Sequence, residues 1–164
     1  MKSRTEKRTD VRTKAPSETE RDTGPRLGAL LRLVHAAFVR DLFAGLARAG
    51  FDDVNPGHGV VTQVLWDRPS GVRASEIAER ARTTKQSIAE QINDLKAKGY
   101  VEQVDDPDDG RAKIVRFTER GWTFAKELRR GLHRVEREWA RRVGADRLAS
   151  VHETLAMLNE SLGD

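Results

Sequence analysis

The stretch from Ala74 to Thr118, ASEIAERARTTKQSIAEQINDLKAKGYVEQVDDPDDGRAKIVRFT, constrains this chain more than any other part of it. Ser75 is placed to cap a short helix with apolar positions Ile77, Ala78 and Ala81. Thr84 is placed to cap a second, with Ile88, Ile92 and Leu95 on its inner stripe. Gly99 supplies the stop. Tyr100 to Asp105 and Ala112 to Phe117 alternate at strand period, and DPDDG between them offers a proline and a glycine for the turn. A tightly linked helix pair followed by a two-stranded ribbon predicts a winged helix-turn-helix, an arrangement suited to reading duplex DNA.

Around that unit the chain reads as helical. Pro25, suited to a first helical turn, opens a helix that runs to about Arg48 and is closed by Gly50. Its apolar residues, from Leu27, Leu30, Leu31, Leu33 and Val34 through Phe38, Val39, Leu42, Phe43 and Leu46, spread over more than one stripe, so it needs cover on two sides. After Pro56, Gly57 and Gly59, VVTQVLWDR predicts a second helix, and Val72 with Arg73 a short edge strand. Thr118 is placed to cap a long helix whose positions Ala125, Leu128, Leu132, Val135 and Trp139 form one seam, and after Gly144 a last helix repeats the pattern with Leu148, Val151, Leu155, Leu158 and Leu162. A lobe this small cannot absorb both seams, so the first and last helices are expected to intertwine in a homodimer. The expected fold class is mainly α with a small antiparallel β-hairpin. A winged-helix lobe over about 54–118 is flanked by long N- and C-terminal dimerisation helices over about 25–49 and 118–162, all in one domain, 25–164.

With 164 residues, 37% of them hydrophobic, the chain has the material for one core and is cramped for two. The net charge of +4 favours a polyanionic partner only mildly, because acids are interspersed with the bases. The lack of cysteine excludes disulfides, thiolate metal sites and thiol redox sensing. No apolar run approaches the roughly 20 residues of a membrane span, and the first residues carry no apolar leader core. The expectation is a cytoplasmic, nucleoid-associated protein with no membrane partner. Residues 1–24 carry Lys2, Arg4, Lys7, Arg8, Arg12 and Lys14 among polar residues and predict a disordered basic arm. It either adds phosphate contacts beside the lobe or is an uncleaved leader or solubilising tail.

If Thr84 caps the second helix of the pair, Lys85, Gln86 and Ser87 fill its first turn, and Ala89, Glu90 and Asn93 continue the face opposite the apolar stripe. That face turns to the major groove in such motifs. Gln86 suits adenine and Glu90 a cytosine amino group; Thr83, Thr84 and Ser87 suit phosphates or base edges, and Lys85 a phosphate. Arg111, at the ribbon tip, suits the narrow minor groove. Lys113 and Arg116 on the returning strand are candidate phosphate contacts. Asp106, Asp108 and Asp109 would repel phosphates, so at least one is expected to turn in and hold Arg111. The competing readings are a merely solvated helix face and a winged-helix module that binds only protein. An enzyme finds no support: His35, His58, His133 and His152 show no metal-ligand spacing, and no nucleophile elbow or phosphate-binding loop is present. No cofactor or metal is expected.

The order SEIAERARTTKQSIAEQINDLKAKGYV, then DPDDGRAKIVRFTERG, resembles the MarR (multiple antibiotic resistance regulator) family of bacterial transcription factors. The resemblance is most specific in the wing, where Asp109, Gly110 and Arg111 match the family's D-x-R turn and Phe117, Thr118 and Gly121 its following L-T-x-x-G. It implies a homodimer that binds a short palindrome, usually as a repressor, and that a small ligand or oxidant releases. The recognition-helix role falls on Thr84 through Ser87 and the wing role on Arg111. Two positions depart from the pattern: Glu90 is often arginine in the family and Gly110 often basic, which predicts weaker phosphate affinity. The resemblance also implies a cleft for an aromatic or phenolic acid, which here would use Arg32, His35, Phe38, His58 and Trp66; these same residues read equally well as ordinary core and surface.

Overall fold

A computed structural model of the chain describes residues 26–162, so the basic arm expected over 1–24 lies outside the described residues. The chain divides into two compact units, 1–34 and 35–164. In order, its described elements are α1 (Leu27–Arg48), α2 (His58–Trp66), β1 (Val72–Arg73), α3 (Ala74–Arg80), α4 (Lys85–Ala97), β2 (Val101–Asp106), β3 (Asp109–Phe117), α5 (Glu119–Val143) and α6 (Ala145–Ser161). The protein is mainly α with one small antiparallel sheet, of strand order β1-β3-β2.

Two of the three expected caps form. The Thr84 hydroxyl accepts from the Ser87 N–H at 3.1 Å, and the Thr118 hydroxyl from the Gly121 N–H at 3.1 Å, each satisfying an orphan donor of a first helical turn. Ser75 does not cap. The edge strand β1 runs straight into α3, so extended Arg73 takes the cap position without a side-chain bond and Ser75 already lies inside the first turn. Gly99, at φ +76°, follows the end of α4 in the left-handed conformation that glycine tolerates best.

The hairpin is tighter than its sequence suggests. Val101 pairs with Phe117 and the register continues to Asp106 opposite Asp109, with an irregularity between Asp105 and Asp106. Only Pro107 and Asp108 form the turn, so Gly110 belongs to β3 rather than to the bend. The two-residue strand β1 adds a third strand, with Val72 opposite Val115 and Arg73 opposite Ile114.

A single apolar cluster within unit 35–164 holds the lobe. Leu46, Val61, Leu65, Ile77, Ile88, Ile92, Leu95, Tyr100, Val115 and Phe124 are essentially removed from water. Burying side chains of this size contributes roughly 1.5–3 kcal/mol each relative to exposure. Because Ile88, Ile92 and Leu95 all fall on one stripe, they fix the rotation of α4 about its axis. The α5 seam is partly used: Ala125 and Val135 are buried, and Leu128, Leu132 and Trp139 pack against the cluster half-exposed. By contrast, α6 buries no residue within the chain, and Val151, Leu155, Leu158 and Leu162 are exposed, as are Leu27, Leu30, Leu31, Leu33 and Val34 of α1.

Candidate nucleic-acid interface

With its apolar stripe buried, α4 turns the opposite face to water. Thr83, Thr84, Lys85, Gln86, Glu90 and Asn93 are all exposed, whereas Ser87 is half-buried and its hydroxyl accepts from Gln91 Nε2 at 3.3 Å. Gln86 Nε2 donates to Glu90 Oε1 at 3.2 Å, joining two residues one turn apart. The turn from α3 into α4 passes through Arg82 at φ +48°, the one non-glycine residue with positive φ among the described residues. An arginine in that conformation carries a local backbone cost.

In the wing, the acidic residues serve a different arginine from the one expected. Arg73 Nε donates to Asp106 Oδ2 at 2.6 Å, and Arg73 Nη2 lies 3.4 Å from Asp109 Oδ2. Asp106 Oδ1 also accepts from the Asp108 N–H at 3.0 Å. That backbone bond and the Arg73 guanidinium hold the Asp106 carboxyl below the usual range, and Asp106 in turn raises Arg73. Asp109 Oδ1 accepts from the backbone N–H of Arg111 at 3.1 Å, so it sets the path of the chain at Arg111 without touching the guanidinium. The expectation that a wing carboxylate holds the Arg111 side chain is therefore corrected. Arg73 arrives on β1 from 33 residues away and, opposite Ile114, reaches both carboxylates.

The remaining wing cations are already paired. Lys113 meets Asp105 and Arg116 meets Glu102, each directly across the β2–β3 ladder. Arg111 is exposed, and its guanidinium makes no ion pair among the described residues.

The residues assigned to a ligand cleft separate. His35, Phe38 and Trp66 line one cleft of about 620 Å³ formed by α1 residues from His35 onward, α2 and α5. Arg129 also lines it, its guanidinium 4.6 Å above the Trp66 ring, and His133 and Glu136 stand at the same wall. Arg32 is exposed on α1 in the unit 1–34. His58 is not a cleft residue. It is 1% exposed and belongs to a polar junction, where Nδ1 accepts from the Asn55 N–H at 3.1 Å and Nε2 bonds Asp94 Oδ2 at 2.8 Å. Asp94 is also bonded by Lys98 Nζ at 2.6 Å. Burial lowers the His58 pKa against the opposing pull of Asp94, while Lys98 first and His58 second lower that of Asp94. The ligand role for His58 is corrected accordingly: a histidine opening α2 against α4 is consumed by the fold. No three His, Asp or Glu side chains among the described residues converge on a metal-holding geometry. Nor is any described helix long and apolar enough to cross a membrane.

Residues 67–112, from the end of α2 to the wing tip, match the MarR family. That segment is similar to the MarR family. That family consists of transcription regulators, not enzymes. No curated protein matches the sequence. MarR-type solved structures align with 81–91% of the chain. The transcriptional regulator PcaV from Streptomyces coelicolor, in complex with its natural ligand, is 20% identical over 91% of this chain and 99% of its own, with a TM-score of 0.64. The transcriptional repressor CouR bound to a 23-mer DNA duplex is 20% identical over 81% of this chain and 92% of its own, with a TM-score of 0.70. Wild-type apo MarR from E. coli is 19% identical over 82% of this chain and 97% of its own, with a TM-score of 0.65. At these identities the alignments establish a MarR-type fold and nothing finer.

Proposed function

We propose that this protein is a sequence-specific DNA-binding transcriptional regulator, a homodimeric repressor of a short palindromic operator that a small aromatic or acidic ligand releases. The observation that carries the reading is the exposed face of α4 beside a wing whose cation at the tip, Arg111, makes no ion pair among the described residues while Arg73, Lys113 and Arg116 are all engaged. An exposed guanidinium on a ribbon tip suits a narrow groove of negative potential. The likeness to a DNA-bound repressor supports the same reading. A module that binds only protein is favoured if Gln86, Ser87 and Arg111 are buried or shielded by other segments; Gln86 and Arg111 are exposed and Ser87 is half-buried.

The ligand half of the proposal rests on the cleft. Its volume of about 620 Å³ falls within the range of small-molecule sites, and its aromatic walls with Arg129, His35 and His133 suit an aromatic acid. In this reading Arg129, which lines the cleft, pairs with the acid in place of Arg32, which the resemblance implied for the cleft. The likeness to a regulator crystallised with its natural ligand agrees.

One binding experiment tests both halves. On a duplex selected from random DNA, Arg111→Ala should lose about 1–3 kcal/mol of binding while the oligomer stays intact. Unchanged affinity would remove the wing from the interface. In the same assay an aromatic acid should release wild type and fail to release Arg129→Met; equal release of both would remove Arg129 from the ligand site.

A further inference from the structure

The exposed face of α4 is poor in positive charge for a helix that enters a groove. Over its first two turns it presents Lys85, Gln86, Ala89, Glu90 and Asn93, with a carboxylate where phosphates on both sides repel it. Glu90 makes no ion pair among the described residues; its partner is the Gln86 amide, whose Nε2 donates to Glu90 Oε1 at 3.2 Å. That bond ties down one amide hydrogen of Gln86 and one carboxylate oxygen of Glu90. What remains is Gln86 Oε1, the second Nε2 hydrogen and Glu90 Oε2, an edge of two acceptors and one donor.

We propose that Gln86 and Glu90 act as one unit that selects exocyclic amino groups in the major groove, adenine N6 at Gln86 and cytosine N4 at Glu90. Glu90 is then a specificity-determining residue: its repulsion by phosphate is common to every sequence, and discrimination comes from the base edge its carboxylate meets. The inference rests on the reading of α4 as a recognition helix. Adenine offers N6–H to Gln86 Oε1 and N7 to the free Nε2 hydrogen, and cytosine offers N4–H to Glu90 Oε2. Guanine presents only the acceptors N7 and O6 there. Against guanine, a desolvated carboxylate finds an acceptor in place of a donor, and an unmatched buried charge is penalised more heavily than a good match is rewarded. One helical turn advances about 5.4 Å and one base step about 3.4 Å, so the two contacts fall one or two steps apart.

The test selects duplexes from a random pool with full-length wild type, Gln86→Ala and Glu90→Ala, then measures affinity for the wild-type site with each base substituted in turn. Both side chains are exposed, and unchanged thermal melting confirms that the variants fold. Wild type should select an adenine and a cytosine one or two steps apart in each half-site. Glu90→Ala should lose about tenfold or more of the preference for that cytosine over guanine, with non-specific affinity equal or higher, and Gln86→Ala should lose the adenine preference. If Glu90→Ala binds every sequence more tightly by one common factor, Glu90 only repels phosphate and the inference falls while DNA reading stands. If wild type selects no sequence at all, DNA reading falls and takes the inference with it.

Discussion

A Cβ added to Gly121 would lie 1.9 Å from the carbonyl oxygen of Tyr100 and 2.9 Å from the Phe117 ring. The first turn of α5 lies against the end of the α4–β2 link at that point, and the Thr118 hydroxyl bonds the Gly99 carbonyl at 2.6 Å across the same contact. Both obstacles belong to parts that cannot step aside, one of them backbone. Gly121→Ala should therefore cost about 3 kcal/mol or more, read as a fall in Tm of roughly 6–12 °C in a thermal melt; a melt within 2 °C of wild type would show that the contact is slack. The Thr118–Gly121 spacing was legible in the sequence because a cap and its glycine lie three residues apart. The pairing of Arg73 with Asp106, or of Tyr100 with Asp53 at 2.5 Å, was not, because such partners meet only once the sheet and α5 have docked.

Among the elements, the helices and the edge strand were readable from period and caps, since these are local properties of the chain. The roles of polar residues between elements were not. His58 looks like a helix-opening residue free to serve a cleft, yet it ties the start of α2 to α4 through Asp94, 36 residues on. This junction makes the α2–α4 contact sensitive to acid. Because Nδ1 accepts from the Asn55 N–H, the ring has no place for a second proton without breaking that bond, and burial lowers its pKa below 6.5. The unfolded chain then binds more protons than the folded one, so stability rises with pH. The contribution is complete above about 6.5 and is lost as pH falls from there through the lowered pKa. Asp94 faces the ring with Lys98, and its own depressed pKa acts only below the ordinary 3.8, outside this window. Denaturant titrations at pH 7.5 and pH 5 should show wild type losing stability on acidification, and His58→Gln losing less; parallel losses would place the sensitive group elsewhere.

At the scale of the whole molecule, the chain leaves apolar surface on α6 and on the first turns of α1 that one copy does not cover. Surface of that kind marks an interaction site, and a second copy is the proposed cover. Leu155 is 40% exposed within the chain, so Leu155→Asp should leave the fold of each copy intact and produce monomers by light scattering. A wild type that is itself monomeric would overturn the dimer. Length and composition made a single core legible, but the seams alone did not say which would be spent within the chain, and in the event α5 is half spent while of the α6 seam only Leu148 is half-buried. A last consequence comes from the two rungs Lys113–Asp105 and Arg116–Glu102. The wing carries its own counterions, attached to the same ribbon. To lend either cation to a phosphate is to trade one anion for another and strand a carboxylate beside the backbone. Few mobile ions are then set free on binding, and the proposed DNA affinity of the lobe should decline gently as salt is added, with a log–log slope reflecting only a few phosphates per protomer.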